Sequence, residues 1–293
     1  MIERLAIIGV GLIGGSLGLA LRAAGQVREV VGAGRGRANL ERARALGIVD
    51  RFTTSAALAV ADADMVVVAA TLGNTAQVLR DIAPALAAHA IVTDVGSTKR
   101  AVVDQARAAL GAHFARFVPG HPIAGTEHSG AQAAFATLYR QHRVILTPLP
   151  ETDPAALARV HAMWAATGAT LTQMDVDEHD RVLAATSHLP HLLAFALVDM
   201  LAAAPDARDI FAFAAGGFRD FTRIASSNSE MWRDIALANR DPLLAITGQY
   251  QRALDDLVNA LTARDGARIE AVFRRAKQAR DACALPEANV EPR

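Results

Sequence analysis

Near its N-terminus the chain carries Leu5-Ala6-Ile7-Ile8-Gly9-Val10-Gly11-Leu12-Ile13-Gly14-Gly15-Ser16, an apolar run that leads directly into a glycine-rich turn. The run predicts a buried parallel strand, and residues 17 to 24 predict a helix. When a strand, a G-x-G-x-x-G turn and a helix follow one another in this order, the glycines have three roles. They permit a tight turn, a close approach of the backbone to a pyrophosphate, and close helix–strand packing. We therefore predict a dinucleotide site, with a purely structural turn as the alternative. The predicted site residues are Gly9, Gly11, Leu12, Ile13 and Gly14.

The second predicted strand, residues 29 to 33, is followed by Gly34-Arg35-Gly36-Arg37. Sites that bind NAD carry a carboxylate near this position, which accepts hydrogen bonds from the ribose 2′-OH. This chain has none, and Arg35 and Arg37 stand where the 2′-phosphate of NADP would lie, a group that suits a guanidinium in geometry and charge. The sequence therefore favours NADP as the cofactor. If both arginines are only solvated loop charges, either NADP or NAD binds.

Three further predicted strands, near residues 64–70, 90–94 and 117–119, each end beside a polar residue. Thr71, Ser97 and His121 follow these strands in turn. Because open parallel sheets bind ligands at the carboxyl ends of their strands, we expect Thr71 and Ser97 to contact the cofactor. We expect Ser97 and His121 to share one crevice. Ser97 has an alternative role as the N-cap of the predicted helix 98–110.

The loop that holds His121 is Gly120-His121-Pro122-Ile123-Ala124-Gly125-Thr126-Glu127, which is too irregular for a helix or a regular strand. Loops of this kind hold functional groups at the rim of a rigid scaffold, and a histidine can exchange a proton near neutral pH. The sequence therefore predicts a functional histidine. The alternative is a surface turn in which His121 and Glu127 are merely solvated.

The composition restricts the class of protein. The chain has 293 residues, 52% of them hydrophobic, which is enough for two domains with sizeable cores. Its formal net charge of zero gives no reason to expect nucleic acid or an anionic membrane as a partner. A single cysteine, Cys283, excludes a disulfide framework. No signal peptide precedes the first strand and no apolar run reaches the ~20 residues of a membrane span, so we expect a soluble, cytoplasmic protein.

We predict an α/β fold in two domains: a Rossmann-type, doubly wound parallel sheet over residues 1–174 and an all-helical domain over residues 175–293. After about residue 175 no strand pattern occurs, and residues 177–204 predict one long helical stretch that Pro190 kinks or breaks. The low charge on many helix faces predicts a homodimer with two-fold symmetry. An intramolecular bundle is the alternative.

Two motifs in the helical half carry candidate binding residues. Ser187-His188-Leu189-Pro190-His191 places two histidines three residues apart, without the carboxylate pattern of a metal site, so we predict no metal. We expect one of these histidines in the core and the other facing a site. Arg223 lies between the apolar residues Phe221 and Ile224. It is suited to bind a carboxylate in a cleft, or alternatively to form a salt bridge with a neighbouring helix.

Together these motifs resemble the prephenate/arogenate dehydrogenase family of tyrosine biosynthesis over nearly the whole chain. The resemblance rests on five stretches: Gly9 to Ser16, Asp94 to Lys99, Gly120 to Gly130, Ser187 to His191, and Phe221 to Ala225 with Met231 to Asp234. It implies a Rossmann-type domain followed by a helical dimerisation domain. The length implies the monofunctional type. The chain departs from many relatives after the second strand, where they carry Asp and it has Gly34 and Arg35, which puts NAD in doubt.

The resemblance also implies an activity on a cyclohexadienol that bears a ring carboxylate and a side-chain carboxylate. Deprotonation of the ring hydroxyl lets a hydride leave for the nicotinamide, carbon dioxide is lost, and the ring becomes aromatic. His121 matches the family position that polarises or deprotonates this hydroxyl. Ser97 matches the position that hydrogen-bonds the same hydroxyl and helps to orient His121.

Further substrate contacts follow from the same resemblance. Arg223 and His191 match positions that hold substrate carboxylate. Glu127 matches a gating or orienting acid, with a helix cap as the alternative role. Thr126 and His188 lie in the same motifs and are predicted to bind substrate as well.

The side-chain substituent distinguishes two substrates, since prephenate carries a keto group and arogenate an ammonium group. Asn228 stands where some relatives have Asp, which favours prephenate or dual use. Two other functions stay open. A 3-hydroxyacid or imine dehydrogenase on this scaffold would need a catalytic lysine, and of the two lysines, Lys99 and Lys277, the first is the candidate. A non-catalytic NADP-binding sensor would not need these site residues together.

Overall fold

The structure, a computed structural model, describes residues 1–126 and 128–283. Its main sheet has six parallel strands: β1 (Ile2–Ile8), β2 (Val27–Ala33), β3 (Arg51–Thr53), β4 (Met65–Val68), β5 (Ile91–Asp94) and β6 (Phe117–Val118). Their spatial order is β3-β2-β1-β4-β5-β6. The order reverses between β1 and β4, which is the doubly wound arrangement and confirms the predicted fold class.

Helices cover both faces of this sheet. They are α1 (Leu12–Ala23), α2 (Arg37–Ala45), α3 (Ala56–Val60), α4 (Leu72–Ile82), α5 (Arg100–Leu110) and α6 (Pro154–Ala165). Strand side chains alternate between the faces: Leu5 and Ile7 belong to one apolar cluster, and Ala6 and Ile8 to the other. Because β1 is buried on both faces, it appears in the sequence as an unbroken apolar run.

The first helix begins earlier than predicted, at Leu12 instead of Leu17. Three glycines therefore lie within its first two turns, although glycine disfavours helix in general. Packing accounts for one of them: a Cβ on Gly14 would lie 2.4 Å from the carbonyl oxygen of Gly9. The backbone of α1 thus lies against the strand end that precedes it.

A second, three-stranded sheet contains β7 (Gly120–Pro122), β8 (Arg143–Leu146) and β9 (Thr170–Gln173). Strand β7 is antiparallel to β8, with His121 opposite Ile145. The prediction that residues 120 to 127 form no regular strand was therefore wrong for the first three of them. The surface-turn alternative for His121 was also wrong, because its side chain is buried.

The rest of the described chain is helical, with no strand among residues 174–283. Helix α7 (Val176–Leu183) continues through a π-helical turn (Ala184–His188) into α8 (Leu189–Ala202). The predicted long helical stretch is confirmed, but Pro190 does not break it: the run changes helix type just before Pro190 and continues. Shorter helices and two long ones follow: α9 (Ala207–Ala212), α10 (Gly216–Thr222), α11 (Ser229–Ala238), α12 (Arg240–Thr262) and α13 (Gly266–Ala282).

One helical run among the described residues, Val176–Ala202, is long and apolar enough to cross a membrane by length and composition, with a mean hydropathy of 1.4. The expectation that no segment reaches span length therefore needs this correction. Length and composition are weak evidence alone, because core helices of soluble proteins pass the same test. This run also carries Asp180 and His188, which are buried and hydrogen-bonded to other elements of the protein.

Packing divides the chain into two compact units, Met1–Leu243 and Leu244–Arg293. The first contains both sheets and every described residue of the candidate site. The second contains most of α12 and all of α13. The functional boundary between residues 174 and 175 stays a prediction.

Candidate active site

The glycine-rich turn has the features that a pyrophosphate requires. Gly9 has a φ of +103°, and a Cβ there would lie 2.3 Å from the carbonyl oxygen of Ala69. A Cβ on Gly11 would meet no atom within 4 Å, so open space lies above this residue. Gly11 is also the N-cap of α1 and offers no side chain to its first N–H groups. These groups are therefore open to an anion, and the predicted residues Gly9 to Gly14 lie together at one helix N-terminus.

The two arginines after β2 differ in their environment. Arg37 Nε donates to Glu41 Oε1 at 2.9 Å, so Arg37 belongs to a helical ion pair. Arg35 is exposed in the bend after the strand and has no carboxylate within salt-bridge distance among the described residues. Its charge is therefore available to a ligand. Asn39 ties this region to the glycine turn, because its Nδ2 donates to the Val10 carbonyl at 2.7 Å.

Thr71 lies at the same edge of the sheet. It is the exposed N-cap residue of α4, and its Oγ1 accepts a hydrogen bond from Asn74 Nδ2 at 2.6 Å. The residue two positions earlier, Ala69, contacts the glycine turn. The structure thus brings Thr71 to the cofactor side that the sequence predicts.

His121 is the end of a chain of three buried side chains. Its Nδ1 lies 2.9 Å from His179 Nε2, and His179 Nδ1 lies 2.7 Å from Asp180 Oδ1. Both partners come from α7. Sequence reasoning missed them, because a His-Asp pair near a helix start looks solvated. The available signal was their spacing: Val176, His179, Asp180 and Leu183 form one buried stripe on α7.

A buried ion pair connects the main sheet to the strand of His121. The fully buried Lys99 Nζ donates to Asp94 Oδ2 at 2.5 Å and to the Gly120 carbonyl at 2.6 Å. Asp94 Oδ1 accepts from the Gly120 N–H at 3.1 Å. Burial lowers the pKa of Lys99, while Asp94 opposes this shift. Because Lys99 is enclosed and paired, it cannot serve as the exposed catalytic lysine of a 3-hydroxyacid dehydrogenase.

Ser97 does not cap the helix that follows it. Helix α5 begins at Arg100, and Asp180 caps it by accepting the backbone N–H groups of Lys99 at 2.7 Å and Arg100 at 2.9 Å. The N-cap alternative for Ser97 was therefore wrong. Ser97 is half-buried in the loop after β5, and its backbone lies beside His188. Its hydroxyl is not required for helix α5.

The buried histidines are neutral near pH 7. Burial lowers the pKa of His121 well below its usual range, and nearby His179 and Lys99 lower it further. Burial likewise lowers the pKa of His179, against the opposing effect of Asp180. The pKa of His188 falls to about 4, chiefly through burial. A neutral imidazole keeps one ring nitrogen unprotonated, so it can accept a proton.

His188 and His191 lie on either side of the start of α8 and face different partners. His188 is buried, and its Nδ1 lies 2.9 Å from Asn239 Nδ2. His191 stacks on Trp232 with ring centroids 3.5 Å apart and an angle of 18° between the rings. The expectation of one core and one site-facing histidine agrees with this arrangement. Trp232 is half-buried beside a cleft.

That cleft has mostly apolar walls. Its lining residues are His188, His191, Leu192, Phe195, Ser229, Trp232, Arg233, Ala236 and Leu243. No carboxylate is among these residues in the part of the chain that the structure describes. Within residues 1–126 and 128–283, no three His, Cys, Asp or Glu side chains are grouped so as to hold a metal ion.

Arg223 lies close to this cleft. It is exposed at the start of a 3₁₀ turn (Arg223–Ser226) that follows α10. The turn that carries Arg223 packs against α8, the helix that carries His191. Burial chiefly lowers the pKa of His191, and the charge of Arg223 adds to this lowering. No described carboxylate lies within salt-bridge distance of Arg223. The alternative of a salt bridge to a neighbouring helix therefore has no partner in the described part of the chain.

The other residues singled out in the sequence are Thr126, Glu127 and Asn228. Thr126 is exposed, and its Oγ1 accepts the His128 N–H at 3.2 Å. Glu127 lies outside the described residues. Asn228 is the N-cap of α11 and accepts the Met231 N–H at 2.8 Å. Since Asp caps helices equally well, Asn228 says little about the substrate.

Comparison with known proteins places these observations in a family context. The family model described as prephenate dehydrogenase, nucleotide-binding domain, matches residues 17–173. The model described as prephenate dehydrogenase, dimerization domain, matches residues 175–275. A cyclohexadienyl dehydrogenase from Zymomonas mobilis is 36% identical over 280 residues, which cover 95% of this chain and 95% of that protein.

Two solved structures are similar over nearly their full length. The prephenate dehydrogenase of Aquifex aeolicus, in complex with hydroxyphenyl propionate and NAD⁺, has a TM-score of 0.89 and 34% identity, covering 96% of this chain and 98% of that one. The arogenate dehydrogenase of Synechocystis has a TM-score of 0.80 and 28% identity, covering 95% and 99%.

Proposed function

Because the chain belongs to the prephenate dehydrogenase family of NAD(P)-dependent dehydrogenases, we propose that it converts prephenate to 4-hydroxyphenylpyruvate by oxidative decarboxylation in tyrosine biosynthesis. The observation that carries the proposal is the buried, neutral His121, whose strand is joined through Asp94 and Lys99 to the carboxyl end of β5. A neutral imidazole held there can take a proton from a substrate hydroxyl.

The glycine turn and Thr71 would hold a nicotinamide dinucleotide, since the open space at Gly11 fits its pyrophosphate. When bound, the nicotinamide supplies the hydride acceptor. His121 removes the proton of the ring hydroxyl, and Ser97 hydrogen-bonds the same oxygen. The ring carboxylate leaves as carbon dioxide, and the phenolate oxygen takes the proton back from His121. The products are the aromatic phenol, carbon dioxide and the reduced cofactor.

The substrate carboxylates would bind Arg223 and His191. A carboxylate there would give the unpaired Arg223 a partner that the described residues do not supply. Trp232 would hold the His191 ring in place through their stacking contact. His188 and Thr126 are proposed as further substrate contacts, and Glu127 as a gating acid.

We propose NADP as the preferred cofactor, with NAD as the competing one. The support is the unpaired charge of Arg35 and the lack of any carboxylate among residues 34–37. A 2′-phosphate beside Arg35 would gain a charge-assisted hydrogen bond that NAD lacks.

We propose prephenate over arogenate as the substrate. Among the described residues, the lining of the cleft beside His191 contains Arg233 and no carboxylate, and the neighbouring Asp234 carboxylate is paired with Arg233. The ammonium group of arogenate would therefore meet a cation and a carboxylate that already has a partner, whereas the keto group of prephenate needs no opposite charge. Dual use is the competing outcome.

We further propose a cytoplasmic homodimer, with the functional division at residues 174 and 175, where the two family models meet. Two observations support a partner copy. Only 28% of the most apolar stretch of Val176–Ala202 is buried within the single chain. Helix α12 also presents Tyr250, Leu254, Val258 and Leu261 to solvent at helical spacing.

The test is a set of four assays with purified protein, in which prephenate and arogenate are each combined with NADP and NAD. The proposal expects the highest kcat/KM for prephenate with NADP. A clear preference for NAD or for arogenate would overturn the corresponding specificity. Absence of turnover in all four assays, with NADP still bound, would favour the sensor function instead.

A further inference from the structure

His121 ends a hydrogen-bonded chain whose donors and acceptors can be assigned from the fixed end. We infer that His179 and Asp180 are positioning residues that hold His121 in one tautomer, with the proton on Nδ1 and a free lone pair on Nε2. The inference deepens the proposed function and rests on it for its catalytic meaning. The tautomer of His121 can be tested separately from catalysis.

The fixed end of the chain is the Asp180 carboxylate. Its Oδ1 accepts the backbone N–H of Lys99 at 2.7 Å and its Oδ2 accepts that of Arg100 at 2.9 Å. Backbone N–H groups cannot accept, so this carboxylate acts as an acceptor on both oxygens. Burial raises the pKa of Asp180, but the hydrogen bonds from His179 and from these two N–H groups outweigh it.

The donor and the acceptor of each remaining hydrogen bond can then be assigned in order from Asp180 to His121. His179 Nδ1 must carry the hydrogen that it donates to Asp180 Oδ1 over 2.7 Å. A neutral imidazole has one N–H, so His179 Nε2 is an acceptor. His121 Nδ1, 2.9 Å from that nitrogen, must therefore be the donor. What remains on His121 is the unprotonated Nε2, which is the nitrogen that a general base needs.

This tautomer is consistent with the transfer of a proton from the substrate to His121. A proton taken from a substrate hydroxyl binds His121 Nε2, and the ring becomes an imidazolium that still donates its Nδ1–H to His179. The Asp180 carboxylate at the far end of the chain favours this positive charge. With the opposite tautomer, His121 Nε2 would carry a hydrogen and could only donate to the hydroxyl.

A second set of contacts holds Asp180 in place. Asn239 Nδ2 donates to the Asp180 carbonyl at 2.8 Å and to His188 Nδ1 at 2.9 Å. The carbonyl accepts only, which fixes the orientation of the Asn239 amide. His188 Nδ1 is thus an acceptor, and its Nε2 carries the hydrogen.

Several charged or titratable groups surround His121, and a change in any of them would move its pH profile. The loop and strand of the main sheet contribute Lys99 and Asp94, α7 contributes His179 and Asp180, and the π-helical turn contributes His188. A variant that leaves all of these except His179 intact is therefore needed.

Two substitutions at His179 separate its two contacts. His179→Gln can place an amide oxygen near the former Nε2 and still accept from His121. His179→Asn can donate to Asp180 from the former Nδ1 position but cannot reach His121. Both are neutral, so they remove the same titrating group. His161→Asn, at an exposed position on α6, is the control.

The first measurement uses the ligand-free protein. Nitrogen-15 NMR of histidine-labelled protein near pH 7.5, with the His121 signals assigned by their loss in His121→Gln, should show a protonated Nδ1 and an unprotonated Nε2. This pattern should persist in His179→Gln and in the control, and give way to mixed tautomers in His179→Asn. A wild-type His121 protonated on Nε2, or equal spectra for the two His179 variants, would overturn the inference.

The second measurement is steady-state kinetics across pH. We expect kcat to fall about 100-fold or more in His179→Asn and less than about 10-fold in His179→Gln, with KM little changed in both. Equal losses in the two variants would argue that His179 serves folding only. If the wild type turned over neither prephenate nor arogenate, the proposed function would fail, while the NMR result would still decide the tautomer.

Discussion

Lys99 Nζ lies 2.6 Å from the carbonyl oxygen of Gly120, the residue just before His121. The same nitrogen is paired with Asp94, so one buried lysine joins the end of β5 to the start of β7. The position of His121 relative to the nucleotide-binding sheet therefore depends on this contact.

Replacement of Lys99 by Met should destabilise the protein strongly. It leaves the Asp94 carboxylate buried without its partner, at a cost of about 3–5 kcal/mol in the free energy of unfolding. The matched control is Lys277→Met, which removes the other lysine from an exposed pair with Asp281 and should cost less than about 0.5 kcal/mol. Urea unfolding of both variants measures the difference. Similar values for the two would mean that the Lys99 pair contributes little.

His121→Asn should lower kcat by ~10²–10⁴ while it leaves NADP binding unchanged, because it removes the base and none of the glycine turn. Steady-state kinetics with prephenate and fluorescence titration with NADP give the two values. A variant with wild-type kcat would refute the role of His121.

Arg223→Ala should mainly raise KM for prephenate, by about 10–100-fold, since it removes a charge-assisted hydrogen bond to a carboxylate. Arg219→Ala, one turn earlier on α10 and also exposed, is the control and should leave KM unchanged. Equal KM values for Arg223→Ala and the wild type would assign Arg223 a structural role.

Arg35→Asp should move the cofactor preference from NADP toward NAD, by about 10-fold or more in the ratio of the two kcat/KM values. The introduced carboxylate can accept from the ribose 2′-OH and repels a 2′-phosphate. Arg37→Asp should have a smaller effect, because Arg37 is already paired with Glu41. An unchanged ratio in Arg35→Asp would show that Arg35 does not contact the cofactor.

The stability of the protein should fall as the pH drops below about 6.5, the usual pKa of histidine. Burial lowers the folded-state pKa of His121, His179, His188 and His191, so the unfolded chain binds more protons there. Stability from these groups is complete above 6.5 and is lost as the pH falls toward about 4, the pKa of His188. Urea unfolding at pH 7.5, 6 and 5 measures this. A His188→Gln variant should show a shallower decline, and an identical decline would exclude His188 as a contributor.

The nucleotide-binding half was predictable because its signals are local. Strand β2 and helix α2 follow from an apolar run and a helical period on either side of Gly34 to Gly36, and a local serine, Ser55, caps α3. The glycine turn needs only a few consecutive residues to specify it. The start of α1 was misjudged because tertiary packing overrides the low helix propensity of glycine.

The non-local parts of the site could not be predicted in the same way. Strand β7 has three residues and exists because it pairs with β8, more than 20 positions along the chain. His179 and Asp180 carry no motif, and their importance depends on contacts with His121 and with the start of α5. Ser97 was assigned a possible capping role because the residue that caps α5 comes from 80 positions away.

The π-helical turn at Ala184–His188 sets the rotational phase of the helices on either side of it. An α-helix advances about 100° per residue, so an unbroken helix would orient His179 and His188 about 180° apart. The wider turn absorbs about one residue and reduces this angle to about 80°. One additional residue thus works as an angular spacer, and its deletion would rotate His188 by about 100° relative to His179.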